Sequence, residues 1–142
     1  MCSSDLQALE RLRCSKELTE RVVRLIYYHD HDILDSRKSL LRWLGKLDEA
    51  DLRALLHIKI ADNLGQHPKY LRVERFQSTL SSLDDLLREK PCFDRASLAV
   101  KGCDLLPLGY QGAAIGQALD KLVAAVIDEQ VENKKEALLD FL

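Results

Sequence analysis

Residues 70–89 read YLRVERFQSTLSSLDDLLRE, and their main apolar residues follow one another at alternating steps of three and four. Residues three and four apart lie on the same face of an α-helix, so this spacing predicts a helix with one apolar stripe. The stripe covers about two and a half heptads, which favours a long amphipathic helix packed across a domain over a coiled coil. It consists of Val73, Phe76, Leu80, Leu83 and Leu87.

The same helical spacing runs through the sequence before this stretch. Ser15 is expected to cap a first helix, and Ser36 a second that stops near Gly45 with Leu40, Leu41 and Leu44 inward. Asp48 is expected to begin a third helix that ends at Gly65. The third helix is apolar on most of its circumference, which predicts that it is the central and most buried one.

After Pro91 the sequence changes in character. Residues 109–116 contain three of the six glycines, and a strongly apolar helical pattern follows them. Asn133 and Glu136 have the spacing of a capping box, which predicts a last helix up to Leu142.

No strand pattern of useful length occurs, so the predicted fold class is all-α. We expect a helical bundle of about six to seven helices in two small subdomains. The composition changes after the long helix, which places the subdomains at residues 1–90 and 91–142.

The amino-acid composition excludes several classes of protein. The chain has 142 residues, of which 46% are hydrophobic and 31% charged, so it is neither collagen-like nor mostly disordered. The net charge of −2 means that only local clustering of basic residues can support nucleic-acid binding. No apolar run is long enough to cross a bilayer, no signal-peptide pattern is present and no CxxC pair occurs. A cytoplasmic location without membrane association is therefore expected.

The second subdomain contains a spaced pattern: Gly-x-Asp-Leu, then Leu-Gly, then Gly and Ile-Gly before a leucine-rich helix. The pattern falls on Gly102, Asp104, Leu105, Leu108, Gly109, Gly112, Ile115 and Gly116, and a closing Asn-x-x-Glu-x-Leu-Leu falls on Asn133, Glu136, Leu138 and Leu139. It resembles the C-terminal region of bacterial tRNA nucleotidyltransferases, the family of the CCA-adding enzyme and poly(A) polymerase.

The upstream sequence is similar to the later helices of the HD-like domain that precedes this region in many members of the family. The similar stretches are RLRCSKELTERVVRLIYYHD (11–30), RWLGKL (42–47) and LLHIKIADN (55–63). The resemblance implies that residues 1–90 are the C-terminal part of an HD-like domain. It implies that residues 91–142 are a tRNA-binding tail domain.

Members of this family have a catalytic head with a Gly-Ser motif and an Asp-x-Asp pair that binds two magnesium ions. This chain has no Gly-Ser dipeptide, and its Asp30-His-Asp32 follows a helix without any sheet signal. The resemblance therefore predicts a C-terminal fragment without catalytic residues or a cofactor of its own, magnesium belonging to the missing head. The predicted partner is tRNA, contacted at its 3′ region and elbow through the parent protein.

Two other functions are compatible with the sequence. His29 and Asp30 have the letters of an HD dyad, and Asp62 lies where HD domains place their last metal ligand, which would give a metal-dependent phosphohydrolase. A site with two protein ligands is too open to hold a transition metal firmly, so no metal site is predicted. The second alternative is a helical interaction module without any role in RNA binding.

The candidate RNA-binding residues fall into two sets. Arg72 and Arg75 are expected on one exposed face of the long helix, and Lys101 is expected to contribute a further charge. Gly109, Gly112 and Gly116 open a helix, where converging backbone N–H groups bind anions. The structural alternative is that these glycines only permit positive φ and close helix crossings. Other basic faces comprise Arg21 and Arg24 with Tyr28, and Arg37, Lys38, Arg42 and Lys46.

Overall fold

A computed structural model describes Arg11 and residues 13–67 and 71–142. The helices are α1 (Lys16–Tyr28), α2 (Arg37–Lys46), α3 (Glu49–Leu64), α4 (Val73–Arg88), α5 (Gly102–Leu105), the 3₁₀ helix η1 (Leu106–Leu108), α6 (Ala113–Ile127) and α7 (Lys135–Asp140). These residues form seven α-helices and no strand, which confirms the all-α prediction. None of these helices combines the length and apolar character needed to span a bilayer. Tyr70, the expected start of the long helix, lies outside the described residues.

The helices form two compact units. The first unit comprises the described parts of 1–34 and 47–81, and the second comprises 35–46 and 82–142. Helix α4 begins in the first unit and ends in the second. These bounds differ from a division after residue 90, and the two domains 1–90 and 91–142 stay a prediction.

The helices of the first unit begin at the expected caps. The Ser15 hydroxyl accepts a hydrogen bond from the N–H of Leu18 at 3.2 Å. The Asp48 carboxylate accepts one from the N–H of Asp51 at 2.7 Å. Each cap binds one of the N–H groups that a helix leaves unpaired at its start, so α1 and α3 begin where the sequence predicts.

Helix α3 is well buried only in its first half. Leu52, Leu55 and Leu56 are fully buried, whereas Ile58 is 39% and Leu64 62% exposed. Within the first unit α3 packs against α1, and Asn63 near the end of α3 is buried beside Arg72. The prediction that α3 is the most buried helix is therefore wrong for its apolar residues Ile58 and Leu64.

A buried carboxylate joins α1 to α3. Asp51 is 1% exposed, and its two oxygens bind the guanidinium groups of Arg21 and Arg24. The arginine side chains are 44% and 48% exposed, so they reach from solvent to the buried charge. A buried carboxylate is tolerated only when it is paired in this way. This part of the basic face of α1 therefore stabilises the packing of the first unit.

The core of the second unit is contributed by α5, α6, α7 and the segment that precedes α5. Its most buried residues are Leu98, Val100, Leu105, Leu122 and Leu138. Helix α2 packs against α6, and the predicted inward positions Leu40, Leu41 and Leu44 are buried as expected. Helix α2 ends at Lys46, near Gly45 as predicted, and a Cβ at Gly45 would lie 3.0 Å from the carbonyl oxygen of Phe93.

Asn133 binds a different segment from the one expected. Its Oδ1 accepts a hydrogen bond from the N–H of Ala99 at 2.8 Å, and its Nδ2 donates one to the carbonyl oxygen of Ser97 at 2.9 Å. Helix α7 begins later, at Lys135, without a side-chain cap. The predicted capping box of Asn133 and Glu136 is therefore wrong, because the amide is occupied by the segment before α5.

We expect Asp51→Asn to lower the free energy of unfolding by roughly 1–3 kcal/mol, because two guanidinium groups lose their charged partner. The loss is not larger because water already solvates both arginines in part. Urea unfolding followed by circular dichroism measures this. Asp85→Asn is the matched control, since Asp85 pairs with Arg88 at the surface and an exposed pair contributes about 0–1 kcal/mol. Equal destabilisation by both changes would contradict the structural role of Asp51.

Candidate nucleic-acid interface

Gly109 closes the turn after η1 in the left-handed conformation, with φ +88°. Its N–H donates to the carbonyl oxygen of Leu106 at 3.0 Å, and the N–H of Tyr110 donates to that of Leu105 at 3.3 Å. These two bonds form a Schellman motif, whose left-handed residue is usually glycine. Gly109 therefore has a structural role in ending η1.

Gly112 precedes α6 in a conformation that is essentially restricted to glycine, with φ +54° and ψ −127°. The N–H of Ala114 donates to the carbonyl oxygen of Gln111 at 3.1 Å. Residues 111–114 thus form a tight turn in which Gly112 has the dihedral angles of the first central residue of type II′. Both loop glycines have the positive φ that the structural alternative expects.

This loop leaves backbone donors at the start of α6. The N–H groups of Gln111, Gly112 and Ala113 have no acceptor in the part of the chain that the structure describes. All three residues are exposed, and they precede or begin a helix of 15 residues. Consecutive free N–H groups at the positive end of a helix are an arrangement that binds phosphate. The loop can therefore bind an anion in addition to shaping the fold.

Gly116 lies inside α6 and not in the loop. A Cβ at this position would lie 3.4 Å from Nη1 of Arg95, whose guanidinium group binds both carboxylate oxygens of Asp120. The hydrogen bonds from Arg95 lower the pKa of Asp120 below its ordinary value. Sequence reasoning missed Arg95, because 25 residues separate it from Asp120 and no local pattern marks the pair.

Lys101 lies just before α5 with an exposed side chain. Its Nζ donates to the carbonyl oxygen of Ala96 at 2.6 Å, and its N–H donates to the carboxylate of Asp104 at 2.8 Å. Asp104 also binds Nζ of Lys135, and this bond lowers the pKa of Asp104. The ammonium group of Lys101 thus lies at the surface but is already hydrogen-bonded to the backbone of Ala96.

The two predicted arginines differ in their surroundings. Arg72 precedes α4 and is exposed, and its N–H donates to Oδ1 of Asn63. Arg75 has a side chain that is only 35% exposed and binds Asp32 at 2.7 Å. The expectation that both lie on one exposed helix face is wrong, because Arg75 links α4 to the loop after α1. Both arginines belong to the first unit, whereas Lys101 and the glycines belong to the second.

The residues of the alternative metal site have other partners. His29 has Nε2 3.0 Å from the Asp30 carboxylate and Nδ1 2.7 Å from the carbonyl oxygen of Ile26. Asp62 accepts a hydrogen bond from Gln66 at 3.3 Å. Among the described residues, no three His, Cys, Asp or Glu side chains are grouped to hold a metal ion.

The fold and the loop define an all-α domain in which a glycine hairpin joins a short helix to a long apolar one. Residues 5–142 match the protein family described as tRNA nucleotidyltransferase domain 2, and the chain belongs to this family. No curated protein and no solved structure matches the chain significantly. The family match confirms the resemblance to tRNA nucleotidyltransferases that the spaced glycine pattern indicates.

We expect Gly112→Ala to lower the free energy of unfolding by roughly 1–3 kcal/mol, because a Cβ is strained at positive φ. A Cβ there meets no described atom within 4 Å, so the cost arises from the backbone alone. Gly65→Ala is the matched control, since Gly65 has φ −77° at the end of α3 and should be neutral or slightly stabilising. Chemical denaturation compares the two variants, and equal effects would refute the role of the turn.

Proposed function

We propose that this chain is the tRNA-binding C-terminal portion of a tRNA nucleotidyltransferase of the CCA-adding enzyme and poly(A) polymerase type. The observation that carries the proposal is the family match across residues 5–142. The similarity of residues 1–90 to an HD-like domain and of residues 91–142 to a tail domain belongs to the same proposal. A cytoplasmic location follows from it, since the substrate is tRNA.

The proposed task of the chain is to hold the tRNA at its elbow and 3′ region by shape and backbone. Contacts to phosphate fix the position of a nucleic acid without reading its sequence. The free N–H groups around Gly112 and the exposed side chain of Arg72 support this role. Lys101 would move from the Ala96 carbonyl oxygen to a phosphate.

Nucleotide transfer is proposed to take place in a separate head domain, which would hold the magnesium ions. Asp30 and Asp32 fit the letters of the catalytic pair, but both lie in the exposed turn after α1 and not on a strand. Two-metal catalysis requires carboxylates that a rigid element holds beside both ions. We therefore propose that this chain contributes binding and no chemistry.

We expect tRNA to bind with micromolar or weaker affinity and with a marked dependence on salt. The double change Arg72→Ala with Lys101→Ala should flatten the plot of log affinity against log salt by up to about two units, because each phosphate contact contributes about 0.9. Titration of labelled tRNA at several salt concentrations measures the slope. Arg75 is left unchanged, since its loss would also remove the partner of Asp32.

The matched control is Lys16→Ala with Arg88→Ala. It alters net charge equally, and its side chains are 91% and 76% exposed. If the two double variants show the same slope, the effect is one of overall charge and the tRNA contacts lie elsewhere. If the unchanged protein binds no tRNA, the chain is a helical interaction module without a role in RNA binding.

We also expect the chain to add no nucleotide to tRNA. The reaction is measured by incubating stoichiometric protein with tRNA, magnesium and labelled ATP or CTP. A parallel reaction without protein is the control. Label incorporated above this blank would overturn the assignment of catalysis to a separate head domain.

A further inference from the structure

A groove lies between α2 and α6 in the second unit and has a volume of about 560 Å³. Cavities of this size accommodate a small ligand or one part of a larger one. The floor of the groove is apolar and consists of Phe93, Val123, Ala124 and Ile127. The rims are charged, with Arg42 and Lys46 on α2 and Asp120 and Asp128 on α6.

Helix α2 is strongly basic, with four basic and no acidic residues in ten. Lys38, Arg42 and Lys46 follow at intervals of four, so they form one row with about 6 Å of helical rise between neighbours. Like charges at this spacing repel and disfavour the helix.

The acidic residues of the groove do not balance this row. Asp128 binds both Lys38, at 2.6 Å, and Arg42, at 2.8 Å, so two cations share one carboxylate. Lys46 lies over the ring of Trp43, with Nζ 5.1 Å from the ring centroid.

Asp120, the other carboxylate of the groove, is already bound by Arg95. Lys38 and Arg95 do not line the groove but bind its two carboxylates. Four cations and two carboxylates therefore lie in or beside the groove, which leaves an excess of positive charge next to the apolar floor. A polyanion with a flat apolar group fits both features.

We propose that this groove holds an unpaired nucleotide of a bound RNA strand. The base lies on the apolar floor beside Phe93, and the flanking phosphates contact the row Lys38, Arg42 and Lys46. Proteins bind single-stranded RNA by this combination of base stacking and backbone charge. The proposal rests on the proposed function, which supplies RNA as the polyanion, and it adds a site outside the glycine loop.

The first test removes one charge. Lys46→Gln should weaken binding of a labelled 12-nucleotide single-stranded RNA about fivefold at 0.1 M salt, because one phosphate contact of a single strand contributes about 0.7 to the salt slope. Lys121→Gln is the matched control. Lys121 also lies over an aromatic ring, that of Phe141 at 5.5 Å, but does not line the groove. The Lys121→Gln variant should bind the single-stranded RNA with unchanged affinity.

The second test fills the groove. Ala124→Leu adds bulk at an exposed position of α6, so the fold is retained, which circular dichroism checks. The variant should bind the single strand about fivefold or more weakly, as expected for the loss of one stacked base. Its affinity for a blunt duplex of the same sequence should be unchanged. A duplex offers no unpaired base, so its binding reports only on phosphate contacts.

The outcomes separate this proposal from the proposed function. If tRNA binds but Lys46→Gln and Ala124→Leu match the unchanged protein, the groove proposal is wrong and the proposed function stands. If neither tRNA nor the single strand binds the unchanged protein, both are wrong. A third outcome is that AMP binds and both groove variants weaken the binding of AMP but not that of the single strand. In that case the occupant is a free nucleotide and the RNA strand is excluded.

Discussion

A pair of hydrogen bonds from one side-chain amide holds the segment before α5 in the second unit. Residues 98–101 belong to no helix before α5, yet Leu98 and Val100 are buried. Backbone groups near a core require partners, and this segment has no helix or strand to supply them. Asn133 supplies one donor and one acceptor at once, to Ser97 and Ala99. The segment leads directly into α5, so these two bonds, together with the buried Leu105, help to position the helix that precedes the glycine loop.

The sequence predicted the features whose signals are local. The caps Ser15 and Asp48 bind N–H groups three residues away, and the positive φ of the loop glycines is a property of single residues. It did not predict the contacts of Asn133, which lie 34 and 36 residues away. Nor does periodicity show which apolar residues of a helix its neighbours cover, so the exposure of Ile58 and Leu64 was not foreseen.

The charged residues of the candidate site also have partners that lie far away in the sequence and were not predicted. A count of arginines cannot separate those that serve the fold from those available to a ligand. Arg75 resembles Arg72 in the sequence, but its partner Asp32 is 43 residues away. Arg21 and Arg24 are likewise bound to the buried Asp51. In the row on α2, Lys38 and Arg42 share Asp128, whereas Lys46 lies over the ring of Trp43 and has no carboxylate partner among the described residues.

The glycine loop shows that a structural role and a binding role need not compete. Gly112 adopts angles that a side chain disfavours, and these angles turn the chain directly into α6. The same turn places residues 111–113 at the surface with N–H groups that have no acceptor among the described residues. Where no Cβ covers the backbone, a phosphate can approach those groups closely. The conformation required by the fold therefore also creates the donors, so loss of binding in a glycine variant identifies a contact only when its folding is intact.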